Sequence, residues 1–152
     1  MNIEKILIVA DDSAASVKAV RYGFDLARDA GAKVLLLSVI EPMSAIGNPD
    51  AGIFPDDALM ALKDRTDTFL RQMETAYAGS VETELRRELG DIQPTIIKTI
   101  TDWGASLVIA GTHGRSGLNK LFTGRVAESI IQHSPVPVCI VPRDQQVNTR
   151  LF

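Results

Sequence analysis

Short apolar runs alternate along the chain with segments whose apolar residues recur at helical spacing. β-branched and leucine-rich runs of this kind are typical of strands buried on both faces of a sheet. Four such strands are predicted at Ile3–Ala10, Lys33–Ile40, Ser106–Ala110 and Val136–Val141. A fifth run, Val81–Leu89, is more polar, and we expect it at or near an edge of the sheet.

Amphipathic helices are predicted between these strands, because apolar residues recur there every three or four positions. They cover Ala14–Ala30, Asp56–Ala78, a segment from near Pro94 to about Trp103, and Leu121–His133. The order is then β-α-β-α-β-α-β-α-β, which predicts an α/β protein. We expect a five-stranded, parallel, doubly wound sheet of Rossmann-like type, with strand order 3-2-1-4-5 and helices on both faces.

Composition narrows the class of protein. The chain has 152 residues, 45% of them hydrophobic, and a net charge of −3 from 19 acidic and 16 basic residues. The acidic balance argues against a nucleic-acid partner, and no apolar stretch approaches the roughly 20 residues needed for membrane insertion. The single cysteine, Cys139, excludes an internal disulfide, and the N-terminus lacks a secretory pattern. These features predict a cytoplasmic protein with one domain, residues 1–143, and a polar tail, residues 144–152.

Several polar residues are predicted to lie where parallel strands end. Asp11 and Asp12 follow the first strand, Glu41 follows the second, and Gly111 follows the fourth. Ligands of doubly wound sheets bind beyond these carboxyl ends of strands. The segment Glu41–Pro55, with three prolines, is a long loop beside the same edge, and long loops in compact domains are usually mobile or functional.

A glycine-rich, basic segment follows the fourth strand. Its glycines have the spacing Gly111-x2-Gly114-x9-Gly124, and no acidic residue occurs between Trp103 and Ala127. Glycine lets a backbone approach a ligand closely, and a strand, a glycine-rich turn and a helix together present free N–H groups to phosphate. The spacing is neither a Walker A motif nor the Gly-x-Gly-x-x-Gly pattern. A phosphate site and a merely tight strand-to-helix connection therefore both remain open.

Several motifs together resemble the universal stress protein family. The segments are ILIVADDS at the first strand, SVIEP at the end of the second, WGASLVIAGTHG and GTHGRSGL around the glycines, and VAESIIQHSPVPVCIVP after Gly124. They occur in the family's order and cover the chain from about Ile3 to Pro142. The chain is thus similar to this family over nearly its whole length.

The resemblance implies an ATP-binding, homodimeric stress-response protein. In the ATP-binding branch of the family, the backbones of three spaced glycines hold phosphates or ribose, the first strand ends in an acidic residue near the nucleotide, and a backbone at the end of the second strand recognises adenine. Partners pair through the last strand, here Val136–Val141. The matching site residues are Asp11, Val39, Ala110, Gly111, Gly114, Gly124 and Val126, with His113 and Arg115 in the same glycine loop.

Two positions depart from the family pattern. Arg125 stands where the ATP-binding branch has serine or threonine. Its guanidinium could bind phosphate in a fork geometry, point to solvent, or block the site. Asp12 adds a second carboxylate beside Asp11. It would repel phosphates unless a cation such as Mg²⁺ intervenes, which makes Asp11 a candidate metal ligand.

Three functions are compatible with these residues. The first is a small ATP-binding regulatory module, and the second is a nucleotide-free scaffold whose site Arg125 closes. The third is a slow ATPase or phosphotransferase, for which only Asp11, Asp12 and His113 are candidate bases near a γ-phosphate.

Structural roles, without a part in ligand binding or catalysis, are expected for the single cysteine, for one aspartate and for the charged residues of the second helix. Cys139 is predicted to be a small core residue, and one of the two aspartates, Asp11 or Asp12, to cap the first helix. The charged residues of the second helix are predicted to form a solvated face with i,i+4 pairs. They are Asp64, Arg65, Asp67, Arg71 and Glu74.

Overall fold

Strands and helices alternate through the part of the chain that the computed structural model describes, residues 2–42, 47–52, 54–112 and 125–143. A short 3₁₀ turn, Pro49–Ala51, lies in the loop before the second helix. The elements are β1 (Lys5–Val9), α1 (Ala14–Ala30), β2 (Lys33–Ile40), α2 (Pro55–Tyr77), β3 (Thr83–Leu89), α3 (Ile92–Trp103), β4 (Leu107–Gly111), α4 (Arg125–His133) and β5 (Val138–Val141).

All five strands are parallel, and their order in the sheet is β3-β2-β1-β4-β5. This confirms the predicted fold class and strand order. The central strand β1 pairs with two neighbours, so that Ile6 is opposite Val34 of β2 and Leu107 of β4. The strand order reverses between β1 and β4, which places a crevice at the carboxyl end of β1.

Two apolar layers cover the sheet. On one face α1 and α2 bury residues such as Phe24 and Phe69 against Ile6 and Ile8 of β1. On the other face, α3 and α4 bury Ile100 and Ile130 among residues that include Leu7. Because consecutive residues of β1 point to opposite layers, the unbroken apolar run of this strand supplies both cores. Each fully buried aliphatic side chain contributes about 1.5–3 kcal/mol.

The start of α1 is fixed by a serine. Ser13 is the N-cap, and its Oγ accepts a hydrogen bond from the backbone N–H of Ser16 at 3.2 Å. Asp11 precedes the cap, and its Oδ1 accepts from the N–H of Ser13 at 2.9 Å. The prediction that an aspartate caps α1 is therefore wrong, because the residue with the required extended backbone is Ser13. At the other end Gly31 has φ of 69°, the left-handed C-cap expected of glycine.

The predicted helices and strands are present, with shifted ends. Strand β5 begins at Val138, two residues after the predicted start. Helix α3 begins at Ile92, so Pro94 lies in its first turn, as predicted. The predicted start of the last helix, at Leu121, lies outside the described residues, as does the tail of residues 144–152.

The two edges of the sheet differ in chemistry. The β3 edge is charged and forms ion pairs: Arg87 Nη1 lies 3.0 Å from Asp67 Oδ2 of α2, and Arg86 Nη2 lies 2.7 Å from Glu84 Oε1. The sequence VCIV of β5 forms an apolar edge. Charged residues on an edge strand discourage pairing with a further strand. Strand β3 carries such residues, whereas the four residues of β5 are apolar.

Cys139 corrects one expectation. It is exposed rather than part of the core. The side chains of an edge strand alternate between two faces, and the face that holds Val138 and Ile140 packs against the core on the α3–α4 side. Cys139 points to the opposite face, on which Val141 is buried in the core on the α1–α2 side but Cys139 itself stays exposed.

No described helix combines the length and the apolar character that a membrane crossing requires.

The contact between α1 and the sheet makes Gly23 a sensitive position. A Cβ built there would lie 2.4 Å from Cδ1 and 2.8 Å from Cγ1 of Ile8, which is fully buried. Gly23→Ala should destabilise the fold by about 1–2 kcal/mol, because overpacking exceeds the gain of about 1 kcal/mol in helix propensity. Chemical denaturation measures the change. The matched variant Asp29→Ala, at an exposed position of α1, should not lower stability, and an unaltered Gly23→Ala protein would contradict this packing.

Candidate functional site

A cleft of about 330 Å³ opens at the carboxyl ends of β1 and β2. Helix α2 forms one wall, and the first residues of α3 and α4 reach it from the other side. Its lining residues are Ala10, Asp11, Asp12, Ser38, Val39, Ile40, Glu41, Leu62, Arg65, Thr66, Phe69, Ile92 and Val126. This is the edge and the crevice at which ligands of doubly wound sheets bind.

The wall contributed by α2 is mostly apolar. Leu62, Thr66 and Phe69 recur at helical spacing and line the cleft, and only Phe69 among them is buried. Ile92 and Val126 supply apolar surface from the starts of α3 and α4. An apolar slot with polar groups at one end is the usual form of a small-molecule site.

The floor of the cleft is held rigidly by hydrogen bonds. The hydroxyl of Ser38, which is buried, donates to the carbonyl of Ala10 at 2.5 Å and ties β2 to the end of β1. The N–H of Asp11 donates to Ser16 Oγ at 2.7 Å, so the strand end is also tied to α1. These bonds fix the backbone from which Asp11 and Asp12 project.

Charged side chains of both signs line the cleft. Three carboxylates, those of Asp11, Asp12 and Glu41, line it together with the guanidinium of Arg65. Arg65 Nε lies 3.8 Å from Asp12 Oδ2, so an ion pair joins α2 to the start of α1. One carboxylate oxygen of Glu41 accepts a long bond of 3.5 Å from the N–H of Ile92, at the first turn of α3.

The ion pairs of α2 correct the expected i,i+4 pattern. Arg65 pairs with Asp12 of the strand-to-helix connection, and Asp67 pairs with Arg87 of β3. Both partners lie outside α2, although Arg65 itself is exposed and Asp67 is half-buried.

Three of the predicted site residues, Asp11, Val39 and Val126, line the cleft. Ala110 is buried and Gly111 is half-buried at the end of β4, and neither lines it. Arg125 is exposed at the first residue of α4, directly before Val126. His113, Gly114, Arg115 and Gly124 lie outside the described residues, so their proposed roles stay predictions.

Gly111 has a structural reason to be glycine. A Cβ at this position would lie 3.0 Å from the carbonyl oxygen and 3.2 Å from the carbonyl carbon of Ala15. The end of β4 therefore packs directly on the backbone of α1. This close approach accounts for one glycine of the motif without a ligand.

Several lining residues were not predicted as site residues, notably Ser38, Arg65 and Thr66. Thr66 shares the helical spacing of Leu62 and Phe69, but this spacing does not distinguish a side chain in the core from one that lines a cleft. The sequence around Arg65 did not indicate a site residue, because the place of this side chain depends on how α2 crosses the sheet.

The described residues contain no group of three or more histidine, cysteine or acidic side chains that could hold a metal ion. Of the pair proposed near a cation, Asp11 already accepts a backbone hydrogen bond from Ser13.

The fold and the cleft together define a class: a small α/β protein with a cleft at the carboxyl edge of a doubly wound parallel sheet. The chain belongs to the universal stress protein family, whose sequence profile matches residues 2–142.

Two relatives illustrate the similarity. Universal stress protein MJ0531 of Methanocaldococcus jannaschii is 25% identical over 150 residues, which cover 94% of this chain and 84% of that protein. Universal stress protein YxiE of Bacillus subtilis is 28% identical over 144 residues, 90% of this chain and 97% of that protein.

Solved structures share the fold. The protein MJ0577 superposes with a TM-score of 0.82 at 22% identity, covering 96% of this chain and 100% of its own. A universal stress protein in complex with cAMP has a TM-score of 0.63 at 21% identity, and the match covers 95% of this chain and 100% of that one. The protein from Archaeoglobus fulgidus in complex with dAMP has a TM-score of 0.63 at 17% identity, with 93% and 99% covered.

The packing of Gly111 yields a second prediction. Gly111→Ala should lower the free energy of unfolding by about 1–3 kcal/mol in the absence of any ligand, because the backbone of Ala15 cannot yield as a side chain can. Urea denaturation of the ligand-free protein measures this change. Unchanged stability combined with weaker nucleotide binding would instead mean that the position is glycine for the sake of the ligand.

Proposed function

We propose that this chain is an adenine-nucleotide-binding regulatory module, with ATP as its ligand, which acts in the stress response as a cytoplasmic homodimer. The cleft between α2 and the carboxyl ends of β1 and β2 is the observation that carries the proposal. The nucleoside occupies this cleft, and the phosphates extend towards the glycine motif and the start of α4.

The shape and lining of the cleft support a nucleoside. A volume of about 330 Å³ falls in the range of small-ligand sites, and a planar base fits between apolar walls such as those of Leu62 and Val126. The carboxylates of Asp11 and Asp12 accept hydrogen bonds, which suits an exocyclic amino group or ribose hydroxyls. Two proteins of the same fold are known in complex with cAMP and dAMP, both adenine nucleotides.

The start of α4 supports the placement of phosphate. Val126, the second residue of α4, lines the cleft, so the positive end of this helix dipole lies near it. Arg125 precedes Val126 and is exposed, which leaves its guanidinium accessible to an anion. In this proposal Gly114 and Gly124 supply backbone N–H groups, and Mg²⁺ with Asp11 offsets the charge of the triphosphate.

Binding of ATP should raise the melting temperature by mass action. At one hundred times the dissociation constant the gain is about 2.7 kcal/mol, or roughly 5–10 °C for a chain of this size. Thr66→Phe, in the wall of the cleft, should abolish most of this shift by filling the slot. Thr68→Phe makes the same change at an exposed position two residues further along α2, and its shift should equal that of the wild type.

Two further measurements separate the alternatives. An absent thermal shift at millimolar ATP, with and without Mg²⁺, would favour the nucleotide-free scaffold and contradict the proposal. Phosphate release from bound ATP would identify an ATPase, whereas binding without turnover supports a module that signals through its bound state.

The edge strand β5 supports the homodimer. Its sequence is apolar, and Cys139 is exposed in the single chain, whereas the opposite edge strand, β3, forms ion pairs. A second copy can extend the sheet at β5 and bury this surface. Pairing through Val136–Val141 is the arrangement we propose.

A charge introduced on β5 should therefore separate the two copies. Cys139→Lys leaves the folded chain intact, because the position is exposed, but it buries two ammonium groups in the paired state. Sedimentation should show a dimer for the wild type and a monomer for this variant. Leu89→Lys, a matched change of an exposed apolar residue on the β3 edge, should remain dimeric, and a dimeric Cys139→Lys protein would rule out this interface.

A further inference from the structure

The acidic residues that line the cleft would repel the negative charge of a phosphorylated ligand. Among the described lining residues there are three carboxylates, Asp11, Asp12 and Glu41, and one cation, Arg65. A nucleotide that enters here brings further negative charge. Like charges in a partly dry cleft repel, so the affinity for a nucleotide depends on the position of the guanidinium.

Arg65 is held, but only weakly. Its Nε lies 3.8 Å from Asp12 Oδ2, beyond hydrogen-bond distance for that pair of atoms, and the side chains of Arg65 and Asp12 are 55% and 36% exposed. Exposed ion pairs of this kind contribute little. The contact therefore positions the guanidinium over the mouth of the cleft without fixing it to one partner.

Phosphate is a better partner for the same group. A guanidinium presents paired N–H donors that match two phosphate oxygens, and such charge-assisted bonds are short and strong. Arg65 also starts from a favourable place, because Leu62, Thr66 and Phe69 of the same helix face line the cleft. Helix α2 thus brings a cation to the same cleft that Val126, at the start of α4, also lines.

We propose that Arg65 is a specificity-determining ligand of this site, which exchanges Asp12 for a phosphate group of the bound nucleotide and so favours phosphorylated nucleosides over free nucleosides. This inference rests on the proposed nucleotide site. It adds a ligand from α2 that the glycine motif does not include, and it assigns to Asp12 the role of holding that ligand in the empty cleft.

Calorimetric titration of the full-length protein with adenosine, AMP and ATP tests the assignment. An excess of chelator is present, so that no metal ion bridges the carboxylates. Arg65→Gln should weaken AMP and ATP binding about tenfold or more, the usual effect of losing a bond between charged groups, and leave adenosine binding within about twofold of the wild type. Arg65→Lys keeps the positive charge but not the paired N–H donors of a guanidinium. Its loss of AMP and ATP affinity should therefore lie between those of the wild type and Arg65→Gln.

The control is Arg71→Gln on the same helix. Arg71 is exposed and bonds within α2 to Thr68, so its removal should change none of the three affinities. Both variants should melt at the wild-type temperature without ligand, which excludes damage to the fold.

The outcomes are distinguishable. If the wild type binds no adenine nucleotide under chelator, nor when Mg²⁺ replaces the chelator, the proposed function fails and this inference fails with it. If the wild type binds ATP and Arg65→Gln binds AMP and ATP as tightly, the site stands and the role of Arg65 is overturned. An equal loss for adenosine, AMP and ATP would also overturn it, because Arg65 would then support the cleft wall without recognising phosphate.

Discussion

The structure depends on the burial of β1 on every side. Ile6, Leu7 and Ile8 are fully buried, and strands pair with both edges of β1. Parallel strands cannot be joined by tight turns, so each needs a helical crossover, and the helices cover both faces. The connections that leave the strands then converge on one edge of the sheet. The cleft exists because the most apolar strand ends there in Asp11 and Asp12, where the chain changes from core to solvent.

The sequence predicted the fold well because the signals were local and consistent. Apolar runs, helical spacing and caps such as Gly31 all favoured the same alternation, and the observed sheet has the predicted order. Errors arose where the environment depends on the rest of the fold. Cys139 has an apolar sequence context but is exposed, although Val141 on the same face of β5 is buried, because exposure on an edge strand depends on how far the neighbouring helices reach. The helix cap was assigned to an aspartate, although backbone geometry selects Ser13.

The site was predictable only in part, for a related reason. Asp11, Asp12 and Glu41 follow predicted strands, so topology alone brings them to the same edge, and all three line the cleft. Val39, which the family resemblance indicated, lines it as well. Arg65 and Thr66 reach it because α2 crosses the sheet at a particular angle, which periodicity does not encode. Gly111 belongs to a motif that indicates phosphate, yet its lack of a Cβ is required by contact with Ala15. A glycine pattern can therefore combine packing and binding requirements that the sequence does not separate.

The difference between the two sheet edges has a consequence for how copies of this protein can assemble. A sheet with two open edges could add subunits head to tail without limit, as fibrils do. Here the ion pairs Arg86–Glu84 and Arg87–Asp67 lie at one edge, whereas the residues of β5, the other edge strand, are all apolar. Strand addition through β5 must then place the same surface of each subunit against the other. In the proposed dimer, growth of the sheet would therefore end after one such step.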